Sequence, residues 1–331
     1  MDQVAASPVK SKVQADNGDV RVAVILPAYN EELTIRPTIE GFAKHLPQAE
    51  IVVINNNSAD RTRTIAIEAL RELGVRGRVL DEYRQGKANA VRRAFAEVDA
   101  DVYLMADADT TYPPEQAAAL VDIVARKDAD MVVGDRQSNG RYAAENKRAL
   151  HGFGNWLVTL LVNRLFRARL VDIMSGYRAM SRCFVKSYPV LVEGFELETD
   201  LTLNALDKRF RIVEVPVEYR DRPPESLSKL NTFGDGARVL FTIAQILRYY
   251  RPLLFFGTIS LAFGLAGLLA AVPVINDWIR HSYIYHVPLA VLAAALELAA
   301  FLSLSVGLVL DSLSHQNRRD FELRIIALSN R

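Results

Sequence analysis

The sequence predicts an α/β domain built on a mostly parallel sheet with helices on both faces, followed by an interfacial amphipathic helix and a transmembrane helical hairpin. Three observations lead there. Between Arg21 and Val217, short β-branched apolar runs alternate with stretches of helical period, the pattern of strands joined by crossover helices. Hydrophobic residues make up 50% of the 331, and the surplus gathers after Leu253 instead of spreading evenly. Within that surplus, Leu253–Ile275 carries no charge and Val287–Leu310 carries only Glu297.

The strands and helices follow in order. Val22–Leu26 reads as a buried strand and Leu33–His45 as a helix. Ile51–Ile54 and Thr62–Leu73 repeat the pair, then Arg78–Leu80 and Lys87–Val98. Val102–Met105 is a fourth strand, and Pro114–Arg126 a helix with proline in its first turn. Met131–Gly134 is a fifth strand. Further on, His151–Phe166 and Thr199–Lys208 have helical period, and Ile212–Val217 reads as a strand. Phe233–Tyr250 is amphipathic, with Arg238 and Arg248 among Val239, Leu240, Ile243 and Ile246. The expected division is a disordered tail at 1–20, an α/β domain at 21–232, an interfacial helix at 233–252, a hairpin at 253–310 (253–275 and 287–310) and a tail at 311–331. Residues 1–20 are polar and have no apolar core, unlike a signal peptide.

Each apolar run of the hairpin is long enough for a hydrocarbon layer of about 30 Å at about 1.5 Å per residue. A soluble helix keeps a polar stripe, and Leu253–Ile275 has none. Arg248 and Arg251 precede the hairpin and Arg318, Arg319 and Arg324 follow it, whereas the connecting segment holds only Arg280. That asymmetry predicts a multi-pass protein of the inner membrane with the α/β domain and both termini in the cytoplasm. Glu297, an acid within an apolar span, needs a neighbour: the other helix, another subunit or a lipid head group.

A formal net charge of +1 provides no field for nucleic acid, so none is expected as a partner. The single cysteine, Cys183, excludes an intrachain disulfide and a cysteine metal cluster. The chemistry is sought where open parallel sheets bind ligands, beyond the carboxyl ends of the strands. The first strand ends in Pro27-Ala28-Tyr29-Asn30-Glu31, and the second in Asn55-Asn56-Asn57-Ser58-Ala59-Asp60. Their amide and carboxylate groups suit the imide edge of uracil or the amide edge of guanine; equally, Ser58 and Asp60 are ordinary turn and cap residues. The third loop, Asp107-Ala108-Asp109, sets two carboxylates at alternate positions beyond an apolar strand. Like charges so close call for a cation, and hard oxygen ligands suit Mg²⁺ or Mn²⁺ holding a diphosphate. Arg136, Arg178, Arg222 and Lys229 are cations in separate loops that form an anion pocket if the loops converge.

The order of the three loops resembles glycosyltransferase family 2 of the GT-A fold. Val171-Asp172-Ile173-Met174-Ser175-Gly176-Tyr177-Arg178 is similar to the Ser-Gly-Phe/Tyr-Arg motif of its polyisoprenyl-phosphate branch, and Gly134-Asp135-Arg136 to its Gly-x-Arg. Tyr219 to Leu230 resembles that branch's basic Ser-Lys loop. The resemblance implies a nucleotide-sugar donor held by Pro27, Tyr29, Glu31, Asn55, Ser58, Asp60, Lys87 and Asp107. It implies a metal, Mg²⁺ or Mn²⁺, on Asp107 and Asp109. It implies a polyprenyl-phosphate acceptor on Arg136, Ser175, Arg178, Arg222, Ser228 and Lys229, with Asp109, Arg178 and Lys229 as the catalytic set. The sequence departs from the pattern at Asn55, where an acid is usual, at Thr111 in place of Gln, and at Glu225 in place of Gly.

The expected activity is therefore inverting transfer of a hexose from a nucleotide-sugar, UDP before GDP because the second loop is rich in Asn, to a polyprenyl phosphate. A lipid phosphate is already an anion near neutral pH, so no dedicated base is expected; Glu196, Glu198 and Asp200 are assigned to structure or sugar-hydroxyl contacts. The alternatives are a processive polysaccharide synthase, whose usual Gln-x-x-Arg-Trp motif does not occur here, and a membrane protein that binds nucleotide-sugar without turnover. Homo-oligomerisation is left open by the sequence.

Overall fold

The computed structural model describes residues 20–138, 149–190, 197–220 and 235–329. Seven strands are seen: β1 Val22–Ala28, β2 Glu50–Asn55, β3 Gly77–Asp81, β4 Val102–Met105, β5 Met131–Asp135, β6 Arg178–Ser181 and β7 Ile212–Pro216. They form one sheet in the order β3-β2-β1-β4-β6-β5-β7. All neighbours are parallel except β6, which runs antiparallel to both β4 and β5. The shared direction of β1 to β5 follows from crossover helices that carry the chain back to the same end of the sheet before each next strand.

The helices are α1 Ile35–His45, α2 Thr62–Glu72, α3 Lys87–Glu97, α4 Ala117–Ala125, α5 Ala149–Phe166, α6 Arg182–Ser187, α7 Leu197–Asp207, α8 Asp235–Tyr250, α9 Pro252–His281 and α10 Val287–Ser329. Alternation along β1 divides the core. Val24 and Leu26 meet Ile39 and Phe42 of α1, Ala66 of α2 and Leu120 of α4 on one face. Ala23 and Ile25 meet Val91 of α3, Phe184 of α6 and Leu201 of α7 on the other. Burying each such Ile, Leu or Phe is worth about 1.5–3 kcal/mol, and β1, buried on both faces, lies at the centre of the core. A third cluster joins Val158 and Val162 of α5, Leu203 of α7 and Ile246 of α8. There, Tyr188 and Tyr250 donate hydroxyl hydrogen bonds to Asp200 at 2.6 and 3.2 Å, tying α8 to the domain.

The hairpin is longer than its apolar runs suggest. The segment expected to link it, Asn276–His286, is helical as far as His281, and only residues 282–286 connect α9 to α10. Asp277 closes that turn, accepting from the backbone N–H groups of Tyr285 and His286 at 3.0 and 3.2 Å. The helices pack through small residues: Ser260 donates to the carbonyl of Ala300 at 2.7 Å, and Gly267 lies under Glu297. The neighbour of Glu297 is thus the other helix of the hairpin. Only 11% of the most apolar window of each helix is buried, and Leu261, Leu268, Leu269, Val291, Phe301 and Val309 point outward, so this is a candidate membrane hairpin.

Within the segment expected as a tail, residues 311–329 continue α10, which is unbroken to Ser329. It returns to the α/β domain: Arg318 pairs with Asp207 at 2.6 Å, and Phe321 meets Phe210 edge-on with centroids 5.9 Å apart. At the other junction Arg251 donates to the carbonyl of Leu165 at 2.9 Å, fixing the start of α9 to the end of α5.

Candidate active site

The first two loops are built into each other. Asn30, in the left-handed region at φ 53°, accepts from the N–H of Ala59 at 2.8 Å, and its own N–H donates to Ser58 at 3.1 Å. Asp60 accepts from the N–H groups of Glu32 and Thr62 at 3.2 and 3.0 Å. Glu31 donates its N–H to Thr62 at 2.7 Å and accepts from the Thr34 hydroxyl at 2.8 Å. Glu31, Ser58 and Asp60 therefore brace the loops, while Pro27 and Tyr29 stand half-buried at the end of β1. Asn56 extends the brace to the loop after β3, donating to the carbonyl of Arg84 at 2.7 Å and accepting from the N–H of Gly86 at 2.7 Å.

The third loop holds the charged centre. Lys87 opens α3 directly after Gly86, whose φ of 123° strongly favours glycine. Its ammonium bridges Asp107 and Glu198, in direct contact with the former and 2.6 Å from the latter. Burial works against this cation, but the two carboxylates outweigh it and raise the Lys87 pKa above its ordinary value. Asp109 is 2% exposed and accepts from the hydroxyl and N–H of Thr111 at 2.5 and 3.2 Å. Tyr112 accepts from the N–H of Gly176 at 2.8 Å and stacks on Tyr177 at 5.0 Å. A Cβ on Gly176 would lie 3.0 Å from the Lys87 ammonium and 3.1 Å from Asp107, so this glycine lets the Ser-Gly-Tyr-Arg segment close onto the centre.

A metal held by Asp107 and Asp109 is compatible with this geometry. Mg²⁺ commonly takes one or two carboxylates and completes its shell with substrate phosphates and water. Among the described residues no group of three His, Cys, Asp or Glu side chains could hold an ion, so an ion there would need further ligands from water or phosphate.

Of the expected anion pocket, Arg136, Ser175 and Arg178 fall within the described residues. Arg178 does not face the cleft. It is completely buried, donating to the carbonyls of Ser175 and Ile173 at 2.8 and 2.7 Å and to Thr202 at 2.9 Å. Burial pushes its pKa below the ordinary value. The antiparallel entry of β6 beside β4, with Arg178 opposite Met105, turns this side chain into the core. Ser175 is also fully buried, its hydroxyl accepting from the N–H of Tyr177 at 3.3 Å. Arg136 grips buried Asp172 through two bonds of 2.7 and 3.0 Å and lies over Tyr219. Arg222, Ser228 and Lys229 lie outside the described residues, as do Glu196 and Glu225. Glu198 was expected in structure or sugar-hydroxyl contacts; its place in the first turn of α7 gives no sign in the sequence of its pairing with Lys87.

Against known proteins, the model of glycosyl transferase family 2 matches residues 23–188. This chain belongs to that family. Glycosyltransferase AglJ of Haloferax volcanii is 29% identical over 91% of this chain and 96% of its own length. The dolichyl-phosphate hexose transferase of the same organism is 31% identical over 68% of the chain and 93% of its own length. Among solved structures, glucosyl-3-phosphoglycerate synthase of Mycobacterium tuberculosis with Mn²⁺ and UDP-glucose is 24% identical. It superimposes with a TM-score of 0.52 over 69% of this chain and 78% of that one, and so shares its GT-A fold. The chain is a family 2 glycosyltransferase.

Proposed function

We propose that this glycosyltransferase moves a hexose from a nucleotide-sugar, UDP before GDP, onto a polyprenyl phosphate at the cytoplasmic face of the inner membrane, inverting the anomeric centre. What carries the proposal is the attachment of the α/β domain, which holds the charged centre, to an outward-facing apolar hairpin at both of its ends, through Arg251 to Leu165 and Arg318 to Asp207. A soluble acceptor needs no such anchor. The dolichyl-phosphate acceptor in the name of one relative supports the same class of acceptor.

On this mechanism the donor lies across the carboxyl ends of β1, β2 and β4. Lys87 turns its ammonium from Asp107 to the diphosphate, and Asp107 and Asp109 would hold a divalent cation, which would supply charge neutralisation for the departing nucleoside diphosphate. An oxygen of the lipid phosphate forms the new bond to the anomeric carbon, and the bond to the diphosphate breaks with its electron pair. No proton need be removed from the nucleophile. Arg222, Ser228 and Lys229 remain assigned to the acceptor phosphate by their sequence pattern. Arg178 becomes a positioning residue that shapes the Ser175–Gly176 turn from below.

The test is a panel of radiolabelled UDP- and GDP-sugars given to the purified full chain with polyprenyl phosphate and Mn²⁺. Label in a butanol-soluble lipid supports the proposal. Label in polymer, or none with any donor, refutes it.

A further inference from the structure

The second loop departs from its family pattern at Asn55, and the structure brings a carboxylate to that place from another strand. Asp81 ends β3 as the register partner of Asn55. Asn55 donates its amide to Asp81 at 2.9 Å while its amide oxygen accepts from the N–H of Ser58 at 3.3 Å. The second bond fixes the orientation of the amide, since a backbone N–H can only donate. From the first turn of α2, Arg63 places Nε 3.0 Å from both carboxylate oxygens of Asp81. The Asp81 side chain is 29% exposed and that of Arg63 52%, while Asn55 is 7% exposed, so a ligand reaches the group from the side of Asp81 and Arg63.

We infer that Asp81, flanked by Asn55 and Arg63, reads the base of the donor nucleotide, and that the base is uracil. This rests on the reading of the site as a nucleotide-sugar site. The three side chains offer donor, acceptor and donor in sequence: Arg63 has four N–H groups beyond the one on Asp81, and the Asn55 amide has a second hydrogen. The imide edge of uracil is the complement, with two carbonyl acceptors on either side of one N–H donor. Guanine presents one acceptor and two neighbouring donors, which sets a donor against a donor at one end. Cytosine sets a ring-nitrogen lone pair against the carboxylate. The position suits the role. The sheet order β3-β2-β1-β4 puts Asp81 three strands from Asp107, about 14 Å at about 4.8 Å per strand, as required of groups at the base and diphosphate ends of one nucleotide.

The experiment is calorimetric binding of UDP, CDP and GDP, with Mn²⁺ and no acceptor, to the full chain and to Asp81→Asn and Arg63→Ala. The wild type should prefer UDP. Asp81→Asn should weaken UDP by about tenfold or more, the loss expected of one charge-assisted hydrogen bond, and bring CDP level with it. Arg63→Ala, a change at a half-exposed side chain, should weaken UDP severalfold and gives the answer should Asp81→Asn fail to fold. Unchanged UDP affinity in the folded variants, or a wild type that binds GDP as tightly as UDP, overturns the inference. Lipid-linked product with unchanged UDP affinity in the variants refutes this inference alone. The expected binding without any lipid-linked product refutes the proposed acceptor alone.

Discussion

Lys87 sets the charge balance of the site. It is the cation shared by Asp107 and Glu198, and Gly176 closes the cleft over it. Lys87→Met should lower kcat by about a hundredfold, the scale of losing one charge-stabilising donor, in steady-state transfer assays. Gly176→Ala puts a methyl 3.0 Å from the Lys87 ammonium. Its expected outcome is a large fall in kcat with a melting temperature close to that of the wild type, measured by calorimetry and transfer on the same preparation. The acids at 107 and 109 stand out in the sequence as alternate residues beyond an apolar strand, and the structure pairs Asp107 with Lys87 and Asp109 with Thr111. Glu198 does not, because it reaches Lys87 only through the fold. Arg178 was misplaced for a related reason. A lone Arg beside Gly in an apolar stretch looks like an anion ligand, whereas here it satisfies the carbonyls of a buried turn.

The strands and crossover helices were legible nearly to their ends, since residues buried on both faces read as short continuous apolar runs. The strand β6 and helix α6 were not predicted; four and six residues are too short to show a period. Yet β6 joins β4 to β5 and brings Gly176 to Asp107. The loop before it hangs on the Arg136–Asp172 pair, with side chains 11% and 0% exposed. Burial alone would raise the Asp172 pKa, but the hydrogen bonds and charge of Arg136 outweigh it and hold the carboxyl below its ordinary range. A lowered folded-state pKa stabilises above the unfolded value, near pH 4, and that contribution disappears as pH falls through the folded value. Asp172→Asn should therefore destabilise the protein at neutral pH by about 3 kcal/mol and show a flatter loss below about pH 4 in acid unfolding. At the far junction, Arg318→Ala with Phe321→Ala should free the end of α10 from Asp207 and Phe210. Faster amide exchange in residues 311–329, with helical content unchanged, is the expected readout.

At the level of the molecule, composition separated the α/β domain from the hairpin, because a helix without a polar stripe has no place in a soluble surface. It did not reveal that α10 continues past the apolar run, since its last part has the mixed polarity of a loop as much as of a docked helix. With 43 residues at about 1.5 Å each, α10 is roughly 64 Å long, twice the hydrocarbon thickness, and its excess length reaches back to the catalytic domain. Deleting everything after Arg251 should spare transfer to a short, water-soluble prenyl phosphate and impair transfer to a long one. The acceptor itself is tested by one comparison: turnover of the full chain with a short prenyl phosphate against the matching prenol, at equal donor and Mn²⁺. Phosphate attack without a base predicts product from the phosphate and none from the alcohol. Equal turnover of both, or turnover of the prenol alone, would contradict it.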